Sequence, residues 1–101
     1  MKPRRVRITA TAQRHIRREK AWWTQNRVHT EILCAEVEEA LRVLAFLPGA
    51  GSAYPHGGVA GLRRLYLPKI ACHLYYTFDN REVIVRALWG ARRRRGPRLG
   101  P

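Results

Sequence analysis

The chain has 101 residues, 46% of them hydrophobic, which is enough for one small domain with its own core. Its longest apolar runs, such as Val43 to Pro48, are far shorter than the roughly 20 residues of a membrane-spanning helix, and no apolar signal segment follows the basic start. We therefore expect a cytoplasmic protein, away from membranes. Twenty Lys and Arg against seven Asp and Glu give a formal charge of +13, so we expect a polyanionic or acidic partner.

The distribution of the cationic side chains favours an anion-binding site, and the spacing of the cysteines argues against a metal site. From residue 40 onward only Asp79 and Glu82 oppose eleven basic side chains, so the C-terminal half is the half that faces anions. Cys34 and Cys72 have neither C-x-x-C spacing nor a matching His pair. We therefore expect free, mostly buried thiols, no metal site and no cofactor.

The first elements in chain order are a strand and a helix. Residues 6–9 alternate apolar and polar side chains and predict a short strand. Thr9 or Thr11 then offers a hydroxyl to cap a helix. Apolar positions at helical spacing predict that this helix starts at Ala12 and ends near Asn26.

A second helix and a loop follow. The helix is marked by one continuous apolar stripe, made of Leu33, Val37, Ala40, Leu41, Leu44 and Leu47. Pro48-Gly49 stops it. Residues 48–61 hold five Gly and two Pro and predict a surface loop.

Three strands complete the prediction, over residues 62–67, 71–78 and 83–89, the last starting at Arg81 or Val83. Pro68-Lys69 and Asp79-Asn80 supply the turns between them, so we expect an antiparallel meander. The predicted fold class is α+β, in the order β-α-α-β-β-β, with two helices on one face of a small antiparallel sheet. The other face is left to water or to a partner.

Period-two alternation assigns side chains to that other face, which we call the open face. It places Val83, Val85 and Ala87 toward the helices and Ile84, Arg86 and Leu88 outward. The set expected on the open face is Arg64, Tyr66, His73, Tyr75 and Arg86, with Arg92 to Arg95 near its edge. Guanidinium groups and aromatic rings are what a site for single-stranded nucleic acid needs, although Arg and Tyr pairs also occur on ordinary solvated sheets.

Several motifs in this order resemble the RelE/ParE toxin superfamily. They are the runs over residues 61–65, 73–76 and 83–92, together with the pattern around Thr9-Ala10 and the loop over residues 48–51. The resemblance implies a type II toxin that is neutralised by a co-encoded antitoxin in a hetero-oligomer. RelE-like members cleave mRNA on the ribosome, whereas ParE-like members inhibit DNA gyrase without nuclease activity.

The resemblance also implies site residues. His73 stands where such toxins usually have an Arg, Trp89 replaces a His that is often seen before Gly-Ala-Arg, and the tail contains no Tyr. ParE-like action is therefore favoured, with His73, Arg64 and Arg92 as catalytic candidates only if the protein is RelE-like. A non-toxic basic nucleic-acid-binding module and a decayed toxin are the alternatives. The predicted target-binding residues are Arg63, Arg64, Tyr66, Tyr75, Arg86, Trp89, Arg92, Arg93, Arg94 and Arg95, within a domain over residues 1–90 and a basic tail over residues 91–101.

Overall fold

The computed structural model describes residues 2–26 and 29–99. The predicted tail therefore runs two residues beyond the described part, since residues 100 and 101 lie outside it. In chain order the elements are β1 (Arg5–Ile8), α1 (Ala10–Asn26), α2 (Thr30–Phe46), a 3-10 turn (Pro48–Ala50), β2 (Ser52–Ala53), β3 (Arg63–Leu67), β4 (Cys72–Phe78) and β5 (Glu82–Gly90).

The sheet confirms the predicted α+β class, with both helices packed on one of its faces. Its strand order is β1-β5-β4-β3-β2, and β3, β4 and β5 form the expected antiparallel meander. Two features differ from the prediction: β1 pairs in parallel with β5 in a sheet expected to be antiparallel, and β2 pairs with β3 inside the segment expected to be a loop. A two-residue strand is too short to show a period of two in the sequence.

The helix ends follow from local chemistry. The backbone N–H of Ala12 donates to Oγ1 of Thr9 at 3.1 Å, so Thr9 is the cap and α1 begins two residues earlier than predicted. The second helix ends at Phe46, just before Pro48. Leu47, expected in the apolar stripe, is 62% exposed because it lies past the last helical turn.

The main core lies between the helices and the sheet. Tyr76 is fully buried in it. Its hydroxyl donates to the carbonyl of Pro48 at 2.6 Å and accepts from the backbone N–H of Gly51 at 2.9 Å. These bonds tie the turn after α2 to β4. The buried core residues include Ala12, Trp23, Leu33, Val37, Ala40, Leu44, Leu67, Ile70, Cys72, Leu74, Tyr76, Val83, Val85 and Leu88.

A bulge in β5 overturns the predicted facing of two residues. Tyr76 pairs with Val85 while its neighbour Tyr75 pairs with Ala87, so Arg86 is an extra residue in the strand. Beyond the bulge the alternation is inverted. Leu88 is 2% exposed in the main core rather than outward, and Ala87 is buried on the opposite face of the sheet.

The opposite face carries a small apolar cluster of its own. Leu62, Tyr75 and Ala87 are buried there, and side chains from the 54–62 loop, from β5 and from the C-terminal tail pack against them. The face expected to be open is thus partly covered. The partners are Tyr54, Val59, Trp89 and Leu99.

Both cysteines are free, as expected, with Cys72 buried and Cys34 half-buried. Burial raises the pKa of Cys72 to about 12, so its thiol stays protonated at neutral pH. In the described part of the chain, no helix has both the length and the apolar character that crossing a membrane requires.

Candidate target-binding surface

Three of the predicted site residues lie side by side on β3 and β4. The register places Tyr66 opposite His73 and Arg64 opposite Tyr75. The rings of Tyr66 and His73 are 5.1 Å apart, and Tyr66 is 49% exposed. We call Arg64, Tyr66 and His73 the strand cluster. It offers a guanidinium, a phenol and an imidazole from one patch of the sheet.

The electrostatics of the strand cluster favour a neutral imidazole. Partial burial lowers the pKa of His73 below its ordinary value, and the charge of Arg64 lowers it further. The guanidinium of Arg64 lies 4.6 Å from the ring centroid of Tyr54 and is thereby oriented. A neutral imidazole can accept a proton and a guanidinium can stabilise phosphate charge, so part of a phosphodiester-cleaving set is present.

Arg92, the third catalytic candidate, lies at a different place. It lines a cleft of about 610 Å³ together with Trp22 and Lys69, beside core residues of α1 and the β3–β4 turn. The strand cluster does not line that cleft. The structure therefore brings His73 and Arg64 together but places Arg92 toward the helices.

Two other predicted target-binding residues serve internal contacts. The prediction that Tyr75 is open to a ligand is wrong: it is 3% exposed, because Tyr54 packs edge-on against it at 5.3 Å between ring centroids. Arg63 donates from its guanidinium to the carbonyls of Gly49 and Gly51. It therefore braces the turn after α2.

Arg86 and Tyr66 remain accessible on the sheet. Nε of Arg86 donates to Oγ1 of Thr77 at 3.0 Å, which holds the bulged residue beside β4. Arg86 is half-buried and Tyr66 exposed. With the half-buried Arg64 and His73 they form the part of the predicted open face that stays at least partly exposed.

The C-terminal tail folds back on Trp89. Nε1 of the indole donates to the backbone carbonyl of Arg95 at 2.6 Å, and the guanidinium of Arg93 lies 4.3 Å from the ring centroid. Pro97 is buried and Leu99 packs on the apolar cluster of the opposite face. The side chains of residues 92–95 are exposed, so the tail presents its cations at the surface.

A second cleft, of about 720 Å³, lies between α1 and this tail. We call it the tail cleft. Sequence reasoning missed it, although Thr11, Arg14, His15 and Arg18 recur at the spacing of one helix face and were a usable signal. Its lining consists of Thr11, Arg14, His15, Arg18, Trp89, Arg95, Gly96 and Arg98.

His15 is a buried member of the tail cleft, to which the sequence assigned no role. It is 9% exposed, and its Nδ1 accepts a hydrogen bond from the backbone N–H of Leu88 at 3.4 Å. Burial lowers the pKa of His15, and the charges of Arg18, Arg14 and Arg93 add to the effect. The ring is therefore neutral at physiological pH.

Comparison with known proteins gives structural relatives but no sequence match: no family model and no curated protein matches the chain. A chain of the chromosomal ParDE TA system from P. aeruginosa superimposes with a TM-score of 0.70 at 13% identity, covering 86% of this chain and 95% of that chain. A chain of the toxin-antitoxin complex RelBE2 from Mycobacterium tuberculosis gives a TM-score of 0.66 at 25% identity, covering 90% and 95%.

These superpositions span most of this chain and nearly the whole of each relative. The two helices on one sheet face and the antiparallel β3–β5 meander are the shared architecture. The chain is a member of the RelE/ParE toxin superfamily.

Proposed function

We propose that the protein is the toxin of a type II toxin–antitoxin pair, acts in the cytoplasm, and is held inactive by a co-encoded antitoxin. Both structural relatives come from toxin–antitoxin systems, and they match nearly all of this chain. The formal charge of +13 suits a partner with an acidic segment, because complementary charge speeds association and selects the partner. Such segments are commonly disordered until they bind.

Within that class we propose ParE-like action, in which the protein inhibits DNA gyrase by binding it. The observation that carries this choice is the separation of the catalytic candidates, since Arg92 lines the cleft beside Trp22 and not the strand cluster. The chain also has no tyrosine after Tyr76 that could assist proton transfer from the tail. Inhibition by binding needs no acid–base pair.

RelE-like cleavage of mRNA is the second candidate, and the strand cluster favours it. His73 with a lowered pKa, beside Arg64 and the exposed Tyr66, offers a base and a cation for attack by a ribose 2′-OH. This set lacks a defined acid for the leaving group. We therefore rank it below action by binding.

Induced expression in bacteria, with and without the neighbouring gene, tests the proposal. We expect growth arrest that the neighbouring gene relieves, with altered plasmid supercoiling and intact mRNA ends. Arrest with ribosome-dependent cuts in mRNA would assign the RelE-like branch instead. Unimpaired growth at a verified protein level would overturn the toxin proposal and leave a basic nucleic-acid-binding module or a decayed toxin.

A further inference from the structure

The tail cleft concentrates positive charge without compensation. Four of its eight lining residues are arginines and none is acidic: Arg14 and Arg18 come from α1, and Arg95 and Arg98 come from the tail. Like charges that line one cleft repel one another, and an anion bound among them relieves this repulsion. We infer that the tail cleft binds the phosphate backbone of a nucleic acid, independently of base sequence.

The cationic groups are oriented before any ligand arrives. Nη2 of Arg14 donates to Oγ1 of Thr11 at 3.1 Å, and the guanidinium of Arg18 lies 5.0 Å from the ring centroid of Trp89. The hydrogen bond from Trp89 to the carbonyl of Arg95 holds the tail backbone at the mouth of the cleft. Groups that are already ordered lose less conformational entropy on binding.

His15 adds an uncharged donor to the same cleft. Its Nδ1 accepts from the backbone N–H of Leu88, so the neutral ring carries its proton on Nε2. That N–H is a donor without a further positive charge, which suits a phosphate oxygen between guanidinium groups.

The lining favours phosphates over an acidic peptide. A peptide that folds on binding is anchored by apolar side chains in apolar pockets, and the tail cleft has no aliphatic lining residue. The ring of Trp89 is already stacked with the guanidiniums of Arg18 and Arg93, so we expect contacts to phosphates rather than stacking on bases. A volume of about 720 Å³ is large enough for more than one phosphate group.

This inference does not rest on the proposed function, because it concerns direct binding by the purified protein and not growth arrest. The test is fluorescence anisotropy with a labelled, single-stranded DNA of 12 nucleotides and mixed sequence. The cleft variant is Arg14→Ala with Arg98→Ala. The matched control is Arg5→Ala with Arg17→Ala, which removes the same charge at two exposed arginines outside the cleft.

We expect the cleft variant to weaken binding by at least about tenfold, and the control by less than about threefold. The plot of log K against log salt concentration should become shallower by about 1.4 for the cleft variant. Two arginines are removed, and each neutralised phosphate of a single strand contributes about 0.7 to the slope. A second DNA of the same length and different sequence binds equally well. Circular dichroism melting verifies that both variants are folded.

Several results would overturn the inference. Equal losses of DNA affinity in the cleft and control variants would mean that the net charge alone attracts the strand. Preferred binding of a glutamate-rich peptide of matched charge would make the tail cleft a carboxylate site. Binding of inorganic triphosphate without binding of the DNA would restrict it to small anions.

Discussion

The indole N–H of Trp89 donates to the backbone carbonyl of Arg95 at 2.6 Å, and this bond joins the end of the sheet to the arginine-rich tail. We expect Trp89→Phe to remove the donor, at a cost of about 1 kcal/mol in the free energy of unfolding. Hydrogen–deuterium exchange of residues 91–99 should become faster while that of the helices stays unchanged. Tyr66→Phe, on the same sheet face, is the control, and an unchanged tail in Trp89→Phe would contradict this role.

The bulge at Arg86 leads to a prediction about two positions of β5, one on each side of it. Leu88→Ala empties a site in the main core and should cost about 2–5 kcal/mol. Ile84→Ala deletes the same number of carbon atoms from a half-buried position and should cost less than about 1 kcal/mol. Urea unfolding measures the stability of both variants. Equal losses of stability would mean that Ile84 and Leu88 lie on the same face, so that the alternation of β5 continues through Arg86 without a bulge.

Gly51 is required by close approach. A Cβ there would lie 2.6 Å from the carbonyl oxygen of Arg64 and 2.7 Å from the hydroxyl of Tyr76, whereas a Cβ at Gly49 meets nothing within 4 Å. We expect Gly51→Ala to destabilise the fold by about 2 kcal/mol and Gly49→Ala to change it by less than about 0.5 kcal/mol. Thermal melting distinguishes them. A neutral Gly51→Ala would show that the turn after α2 can move away from β4.

Stability should fall in mild acid. Burial lowers the pKa of both His15 and His73 below the ordinary value of 6.5, so below that pH the unfolded chain binds more protons than the folded protein. The contribution of these two histidines to the free energy of unfolding is therefore fully present above about pH 6.5 and is lost as the pH falls below that value. Urea unfolding across this range measures the slope. His15→Gln and His73→Gln should each flatten it, and a slope that neither variant changes would assign the effect elsewhere.

The proposed ParE-like action predicts that His73→Gln still arrests growth. Binding to gyrase needs no proton acceptor, so the variant should reduce toxicity by less than about threefold in inducer titration. An immunoblot establishes equal protein levels. The RelE-like alternative would be favoured if the unmodified protein cuts mRNA and a folded His73→Gln protein loses both these cuts and the growth arrest.

Local patterns in the sequence were sufficient for the helices and the meander. The stripe from Leu33 to Leu44 buries the face of α2 that periodicity predicts, and the alternation in β4 separates Leu74 from His73 as expected. A helix or strand with one buried face carries its period in its own residues. Residue motifs in the order of these elements also suggested the superfamily that the structural relatives support.

The tertiary structure alone decided which predicted surface residues are available. The bulge at Arg86 inverts the facing of Leu88, because one extra residue in a strand leaves no mark on composition or period. Tyr75 is buried by Tyr54 from a loop, and the tail cleft lies between α1 and a tail that is hydrogen-bonded to Trp89. Such contacts join segments far apart in the chain, so their geometry depends on how the whole fold packs and not on any local pattern.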